Sequence, residues 1–349
     1  MNNDKIGIGV IGAGYWGPNL IRNFHELQES EVLWVADLSQ DSLDKISRRY
    51  PSVSTTPDFN NVLADKRVKA VVIATPAVTH FEIAKAALEA GKDVMVEKPL
   101  TCSVEESEIL VKMAGDRNLV IMVGHLMVYH PAIQYMKSMI DKNELGRIYY
   151  LYSTRVNLGK VRTHENTLWN FAPHDISMIL YLLGRTPDKV SASGAAYLQS
   201  GIEDVAFMTL HFPDETLAHC HVSWLDPHKV RRLTVVGDKK MMVFDDTAGA
   251  EVRIYDKGVD RVPTYETYGE SLTIRIGDIN IPKLPSREPL KEECSHFLTC
   301  VRERKQPVTD GASGLEVLKV LVGADRSIRK KGTPVMLDEV VSDEIAAEA

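Results

Sequence analysis

The stretch Lys5-Ile6-Gly7-Ile8-Gly9-Val10-Ile11-Gly12-Ala13-Gly14-Tyr15-Trp16-Gly17-Pro18 decides the fold. Residues 6–11 read as a short buried strand, and residues 18–27 have the apolar spacing of a helix. Between them stands G-x-G-x-x-G, whose glycines differ in what they permit. Gly12 allows a tight turn, Gly14 lets the backbone approach a pyrophosphate, and Gly17 lets the helix pack close to the strand. The first N–H groups of that helix then face the phosphates. Such a motif alone is a common glycine turn. Here it follows a strand, opens a helix, and has Asp37 at the end of a second strand about 20 residues further on, the spacing of a dinucleotide fingerprint. Asp37 can accept both ribose hydroxyls and would repel a 2′-phosphate, and no arginine follows it, so the pattern favours NAD over NADP. Tyr15 and Trp16, inside the turn, are expected to flank the cofactor.

Outward from this turn, residues 32–36, 68–74, 93–96 and 119–123 read as further strands without polar alternation, separated by segments of helical period such as Phe81, Ala84 and Leu88. Strands buried on both faces lose alternation, so a doubly wound parallel sheet, an α/β domain, is expected over residues 1–125. After a helix at 131–142 the grammar changes. From 148 to 255 most segments look like strands joined by short turns such as Pro213-Asp214, which implies antiparallel pairing. With helices at 170–183, 289–304 and 313–331, residues 126–349 read as an α+β domain with an open, mostly antiparallel sheet, ending in an acidic tail at 343–349. Residues 256–288, with Pro263, Pro282 and Pro285, read mostly as loop: a lid, a domain edge or a subunit contact.

The chain has 349 residues, enough for two domains, with 44% hydrophobic and 26% charged residues. Its 41 basic against 48 acidic residues give a net charge of −7, which argues against nucleic acid and anionic membranes as partners. Four cysteines lack the paired spacing of a zinc site, and the N-terminal residues lack a secretory pattern, so a cytoplasmic protein with reduced thiols is expected. His219 and His221 share a strand face without a third ligand, so no metal is expected.

Ligands of doubly wound sheets bind at the carboxyl ends of the strands. Thr75 and Pro76 close the fourth strand there and are placed to border the nicotinamide ribose, while Glu97-Lys98-Pro99 closes the fifth. Lys98 is expected to bond a substrate hydroxyl or to hold a neighbouring base in form. In Trp169-Asn170-Phe171-Ala172-Pro173-His174-Asp175, Pro173 suggests a helix starting near Asn170, with Asn170 as N-cap. His174 would then point away from the packed stripe Ala172, Ile176, Ile179 and stand at the positive helix end, which favours a neutral ring able to take a proton. Arg155, Lys160 and Arg162, with Asn157, lead into this helix and suit a carboxylate or diphosphate. His125, Tyr129 and His130 are expected near the domain junction.

Gly12-Ala13-Gly14-Tyr15-Trp16-Gly17, the Ala74-Thr75-Pro76 strand end, Glu97-Lys98-Pro99 and the histidine of the second domain together resemble the glucose-fructose oxidoreductase, inositol dehydrogenase and rhizopine-catabolism (Gfo/Idh/MocA) family, over nearly the whole chain. The resemblance implies a Rossmann domain carrying NAD(P), a second domain carrying the sugar, and acid/base roles for Lys98 and His174. One departure is that the family's D-x-x-x-H aspartate is Asn170 here. Within the family, residues 155–175 with Gly124-His125-Leu126 and Tyr129-His130-Pro131 resemble the branch that oxidises UDP-N-acetylglucosaminuronate at C3, which makes a nucleotide sugar of surface-polysaccharide biosynthesis the expected substrate. Tyr129, Asn157, Arg162 and Asn170 would position it. A free-polyol dehydrogenase gives the arginine-rich stretch little to bind, and a non-catalytic NAD-dependent sensor should have lost Lys98 and His174. A homodimer or homotetramer covering the open sheet is expected.

Overall fold

The computed structural model describes residues 5–163, 165–247, 249, 251–261 and 272–340. The chain divides into two units, one holding residues up to Tyr129 together with 287–318, the other residues 130–286 and 319–340.

The first unit alternates strand and helix: β1 (Ile6–Ile11), α1 (Gly17–Glu26), β2 (Ser30–Ala36), α2 (Gln40–Arg49), β3 (Ser54–Thr56), α3 (Phe59–Ala64), β4 (Val68–Ile73), α4 (His80–Glu89), β5 (Asp93–Glu97), α5 (Val104–Arg117) and β6 (Ile121–Gly124). All pairings are parallel, in the order β3-β2-β1-β4-β5-β6. The order reverses between β1 and β4, and that switch point opens the crevice. Every residue of β1 is buried, which explains why its sequence shows no alternation. Ile83, Ala84, Ala87 and Leu88 of α4 join Leu110 and Ala114 of α5 in the core covering the sheet.

The second unit opens with α6 (Pro131–Asp141), β7 (Ile148–Val156) and α7 (Thr167–Leu183), followed by β8 (Lys189–Ala195), β9 (Val205–His211), β10 (Leu217–Ser223), β11 (Val230–Gly237), β12 (Met241–Asp245), β13 (Glu251–Arg261) and β14 (Leu272–Asn280). In chain order α8 (Pro289–Glu303), which packs with the first unit, α9 (Gly311–Arg329) and β15 (Val335–Met336) follow. The sheet runs β14-β13-β12-β11-β7-β10-β9-β8-β15, antiparallel except where β7 meets β10. α7 lies against β7, β9 and β10, as expected for helices on one face of such a sheet.

Three differences from the sequence reading have physical causes. Residues 126–129 and 287–318, assigned from sequence to the second domain, pack with the first unit: α8 lies on α1, where Phe297 meets Phe24 edge-on at 6.3 Å and Arg22 pairs with Glu288. Among its described residues the stretch 256–288 is mostly strand, because β13 runs on to Arg261 and pairs with β14. Its alternation Leu272, Ile274, Ile276 was legible, and Pro282 and Pro285 fall beyond the strand. Pro263 and the acidic tail lie outside the described residues. Finally, α7 starts at Thr167, not Asn170, and carries Pro173 in its interior. Proline there removes the bond to the Trp169 carbonyl. The helix continues because Ala172, Ile176 and Ile179 on both sides of it are buried.

Candidate active site

The glycine turn has the geometry its spacing implies. Gly12 has φ of +102°, and a Cβ there would lie 2.6 Å from the Ala74 carbonyl carbon and oxygen. A Cβ on Gly17 would lie 2.1 Å from the Gly12 oxygen, so α1 enters against the turn itself. Gly14 differs, since a Cβ there would meet nothing within 4 Å. That open face, beside the N–H groups that begin α1, has the shape a pyrophosphate needs. Asp37 at the end of β2 ties the turn down: its Oδ2 accepts from the Ala13 N–H at 2.6 Å and its Oδ1 from the Ser39 N–H at 2.7 Å. Tyr15 is exposed, and Trp16 donates from its indole to Glu97 Oε1 at 2.7 Å. The residues present therefore fit a dinucleotide.

This split between the glycines is testable by calorimetry and thermal melting. Gly12→Ala is expected to destabilise the fold by about 1–3 kcal/mol, because L side chains rarely adopt that backbone conformation. Gly14→Ala should leave the melting temperature unchanged and weaken NAD binding. Equal effects of both on the melting temperature would contradict the assignment.

Thr75 and Pro76 follow β4, and Thr75 shares a hydroxyl contact of 2.8 Å with Thr79. His80, which sequence reasoning left as a cap or core edge, is buried and bridges two strand ends, with Nδ1 at 2.8 Å from the Pro99 oxygen and Nε2 at 2.9 Å from the Thr75 oxygen. It therefore holds the segment after Lys98 to the end of β4. Lys98 is half-buried. Burial holds the Glu97 carboxyl up to about 7, against the Trp16 bond and the Lys98 charge, which both favour the anion. His125, after β6, is buried, and burial with the Lys98 charge pushes its pKa down to about 3, so its ring is neutral.

In the second unit, α7 is capped by the Asn166 side chain, which accepts from the Trp169 N–H at 3.1 Å. Asn170 is therefore not the N-cap; its Nδ2 donates to Glu165 Oε1 at 2.5 Å. His174 stands two turns inside the helix, where the terminal dipole has faded, so the dipole argument for its neutral ring falls. It is half-buried and lies off the packed stripe. Arg155, expected to bind substrate, is instead engaged within the protein. It is 6% exposed and paired with Asp175, itself 2% exposed, through Nε to Oδ2 at 2.7 Å. Nothing in the spacing of the two residues announces that pair. Lys160 is exposed and Asn157 half-buried, while Arg162 lies 3.7 Å from Glu165.

Tyr129, expected to bind substrate, is buried in the first unit with its hydroxyl 2.9 Å from Thr309 Oγ1 and its ring against His296, so it is a packing residue. His130 caps α6, accepting from the Ala132 N–H at 3.1 Å. Phe207 stacks on His219 and His221, and no cluster of metal-ligating side chains occurs among the described residues. Sequence reasoning missed Glu293. It sits among Leu290, Cys294 and Phe297 on the apolar stripe of α8, a position that should have drawn notice for a carboxylate.

A parallel 3-2-1-4-5-6 sheet with this turn, followed by an open mixed sheet, defines a two-domain oxidoreductase. The chain belongs to the Gfo/Idh/MocA family: residues 6–125 match its oxidoreductase domain of NAD-binding Rossmann fold, and residues 133–243 match its C-terminal domain. It is 28% identical over 320 residues to UDP-N-acetylglucosamine 3-dehydrogenase of Acidithiobacillus ferrooxidans, covering 89% of this chain and 93% of that protein. The solved structure of that enzyme superimposes with a TM-score of 0.81 over 94% of this chain and 98% of the other, at 26% identity. A similarity of 27% identity, covering 95% of each chain, links it to scyllo-inositol 2-dehydrogenase (NAD(+)) of Bacillus subtilis. A putative oxidoreductase of Magnetospirillum magnetotacticum is 30% identical, with a TM-score of 0.77 over 92% of this chain and all of that one (100%). The protein is thus an NAD(P)-dependent oxidoreductase of this family. No helix among the described residues is long and apolar enough to cross a membrane.

Proposed function

We propose that the protein is an NAD-dependent dehydrogenase that oxidises the C3 hydroxyl of a UDP-N-acetylglucosaminuronate-type nucleotide sugar to the 3-keto sugar. The observation that carries the reading is the joint presence of the open glycine turn, bound through Trp16 to Glu97, and of Lys98 directly after Glu97 at the sheet's carboxyl edge. Likeness to a nucleotide-sugar 3-dehydrogenase over 89% of the chain supports the choice of substrate class. Asp37, a carboxylate at the end of β2, favours NAD over NADP.

In this reading His174 takes the hydroxyl proton and Lys98 bonds the same oxygen, so that charge developing on it is met by a cation. Bound NAD supplies the hydride acceptor. Lys160 and Arg162 meet the anionic groups of the substrate, and Asn157 and Asn170 orient its hydroxyls; Arg155, neutralised by Asp175, ties α7 to β7 instead. Apolar side chains exposed on the second sheet, among them Tyr150, Tyr152, Phe207 and Leu217, support a homo-oligomer that covers them.

The test is a substrate panel with NAD+, following absorbance of the reduced cofactor. UDP-N-acetylglucosamine, its uronate and other UDP-sugars should respond, the uronate most strongly, while inositols should not. A response confined to uncharged polyols would make the scyllo-inositol dehydrogenase the better guide and end the nucleotide-sugar reading.

A further inference from the structure

The first unit holds two carboxyl groups, Glu97 at the end of β5 and Glu293 on α8, and the Glu97 charge adds to burial in keeping Glu293 protonated. Glu293 is 0% exposed, and neither of its oxygens has a hydrogen-bond partner among the described residues. A carboxylate placed there would be both desolvated and unpaired, so Glu293 remains protonated. Glu97 is different. It accepts the Trp16 indole N–H and sits so tightly against Gly124 that a Cβ there would come within 3.0 Å of its carboxyl carbon.

The surrounding groups leave Glu97 as the member of this cluster that titrates near neutrality. His125 is held neutral by burial and by Lys98; burial keeps the Tyr129 hydroxyl and the Cys294 thiol protonated; Arg22 and Glu288 compensate each other as an ion pair. Lys98 supplies the adjacent positive charge. Trp16 belongs to the glycine turn, so one hydrogen bond joins Glu97 to the place where the dinucleotide binds.

We propose that Glu97 is a redox-linked proton site, binding a proton more tightly when the cofactor at the glycine turn is reduced than when it is oxidised, with Glu293 as its permanently protonated neighbour. The inference rests on the family's cofactor occupying that turn. Oxidation of the alcohol breaks its C–H bond, sends that hydrogen with its electron pair to the nicotinamide, and frees the hydroxyl proton as the carbonyl forms. The ring's positive charge disappears in the same event. A nearby cation disfavours the protonated carboxyl, so loss of that charge raises the proton affinity of Glu97 as the reaction frees a proton. By linkage, the affinity for reduced relative to oxidised cofactor then falls as pH rises through the titration of Glu97, by up to about tenfold for a one-unit difference between the complexes.

The test is calorimetric titration of the full-length protein with NAD+ and with NADH, in buffers of different ionisation heat, from about pH 6 to about pH 8. The wild type should release more protons, or take up fewer, on binding NAD+ than on binding NADH. Glu97→Gln should bind both forms without that difference. Lys98→Arg should retain it, because the guanidinium does not titrate. Glu293→Gln should leave the midpoint in place; an acid shift would mean that a charge had been removed and that Glu293 is ionised. Equal proton exchange for both cofactors in the wild type overturns the inference and leaves the dehydrogenase reading intact. No binding of either cofactor overturns both.

Discussion

Replacing Lys98 by methionine or His174 by alanine is expected to lower turnover about 10²–10⁴-fold, the range associated with loss of a positioned acid or base, while NAD+ binding should be retained. Binding and chemistry separate because the cofactor side is built from other parts. Gly12, Gly14, Gly17, Asp37 and the Trp16–Glu97 bond shape the turn, whereas Lys98 follows β5, next to Pro99, whose oxygen His80 contacts. His174 lies off the packed stripe, on which Ala172 and Ile176 are buried. A histidine held half-exposed on a rigid helix is suited to proton transfer, and its alanine variant should fold normally. Steady-state rates together with cofactor affinity check this. Full turnover in both variants would remove Lys98 and His174 from the chemistry.

Asp175→Ala should destabilise the protein by about 3–5 kcal/mol, because it leaves the Arg155 guanidinium buried without its partner. The pair is well made, with contacts of 2.7 and 3.4 Å between β7 and α7, and both residues are almost inaccessible. Its role is to fix the helix that carries His174 onto the strand beneath. A double variant Arg155→Met, Asp175→Leu should recover most of the loss, since buried ion pairs replaced by apolar groups of similar size are often neutral or better. It should also keep the Michaelis constant for the nucleotide sugar. Urea unfolding decides the first point and kinetics the second. A loss below about 0.5 kcal/mol for Asp175→Ala would show that the charge is not confined, and a raised Michaelis constant in the double variant would return Arg155 to the substrate.

Much of the fold was legible because buried parallel strands and their helices leave strong local marks. Ile6–Ile11 was read to the residue, and the glycine turn was recognisable because each glycine answers to a contact between neighbours in sequence. What escaped depended on tertiary context. Ser54–Thr56 is too short to show a period. α8 looked like part of the second domain because nothing local says that Phe297 meets Phe24. Pro173 suggested a helix start, yet packing on both sides of it carries α7 through, with the cap at Asn166. At the site the same division holds. Lys98 and His174 follow from motif and stripe and stand as proposals, whereas Arg155 and Tyr129, which looked available to a ligand, are engaged by Asp175 and Thr309.

The most direct measurement follows the hydrogen that moves. UDP-N-acetylglucosaminuronate deuterated at C3 is incubated with the protein and NAD+, and the nicotinamide C4 position is read by NMR. Deuterium on the reduced cofactor, with a 3-keto sugar formed in equal amount, is the predicted result. Reduced cofactor free of deuterium, or none formed with any nucleotide sugar, would contradict the account.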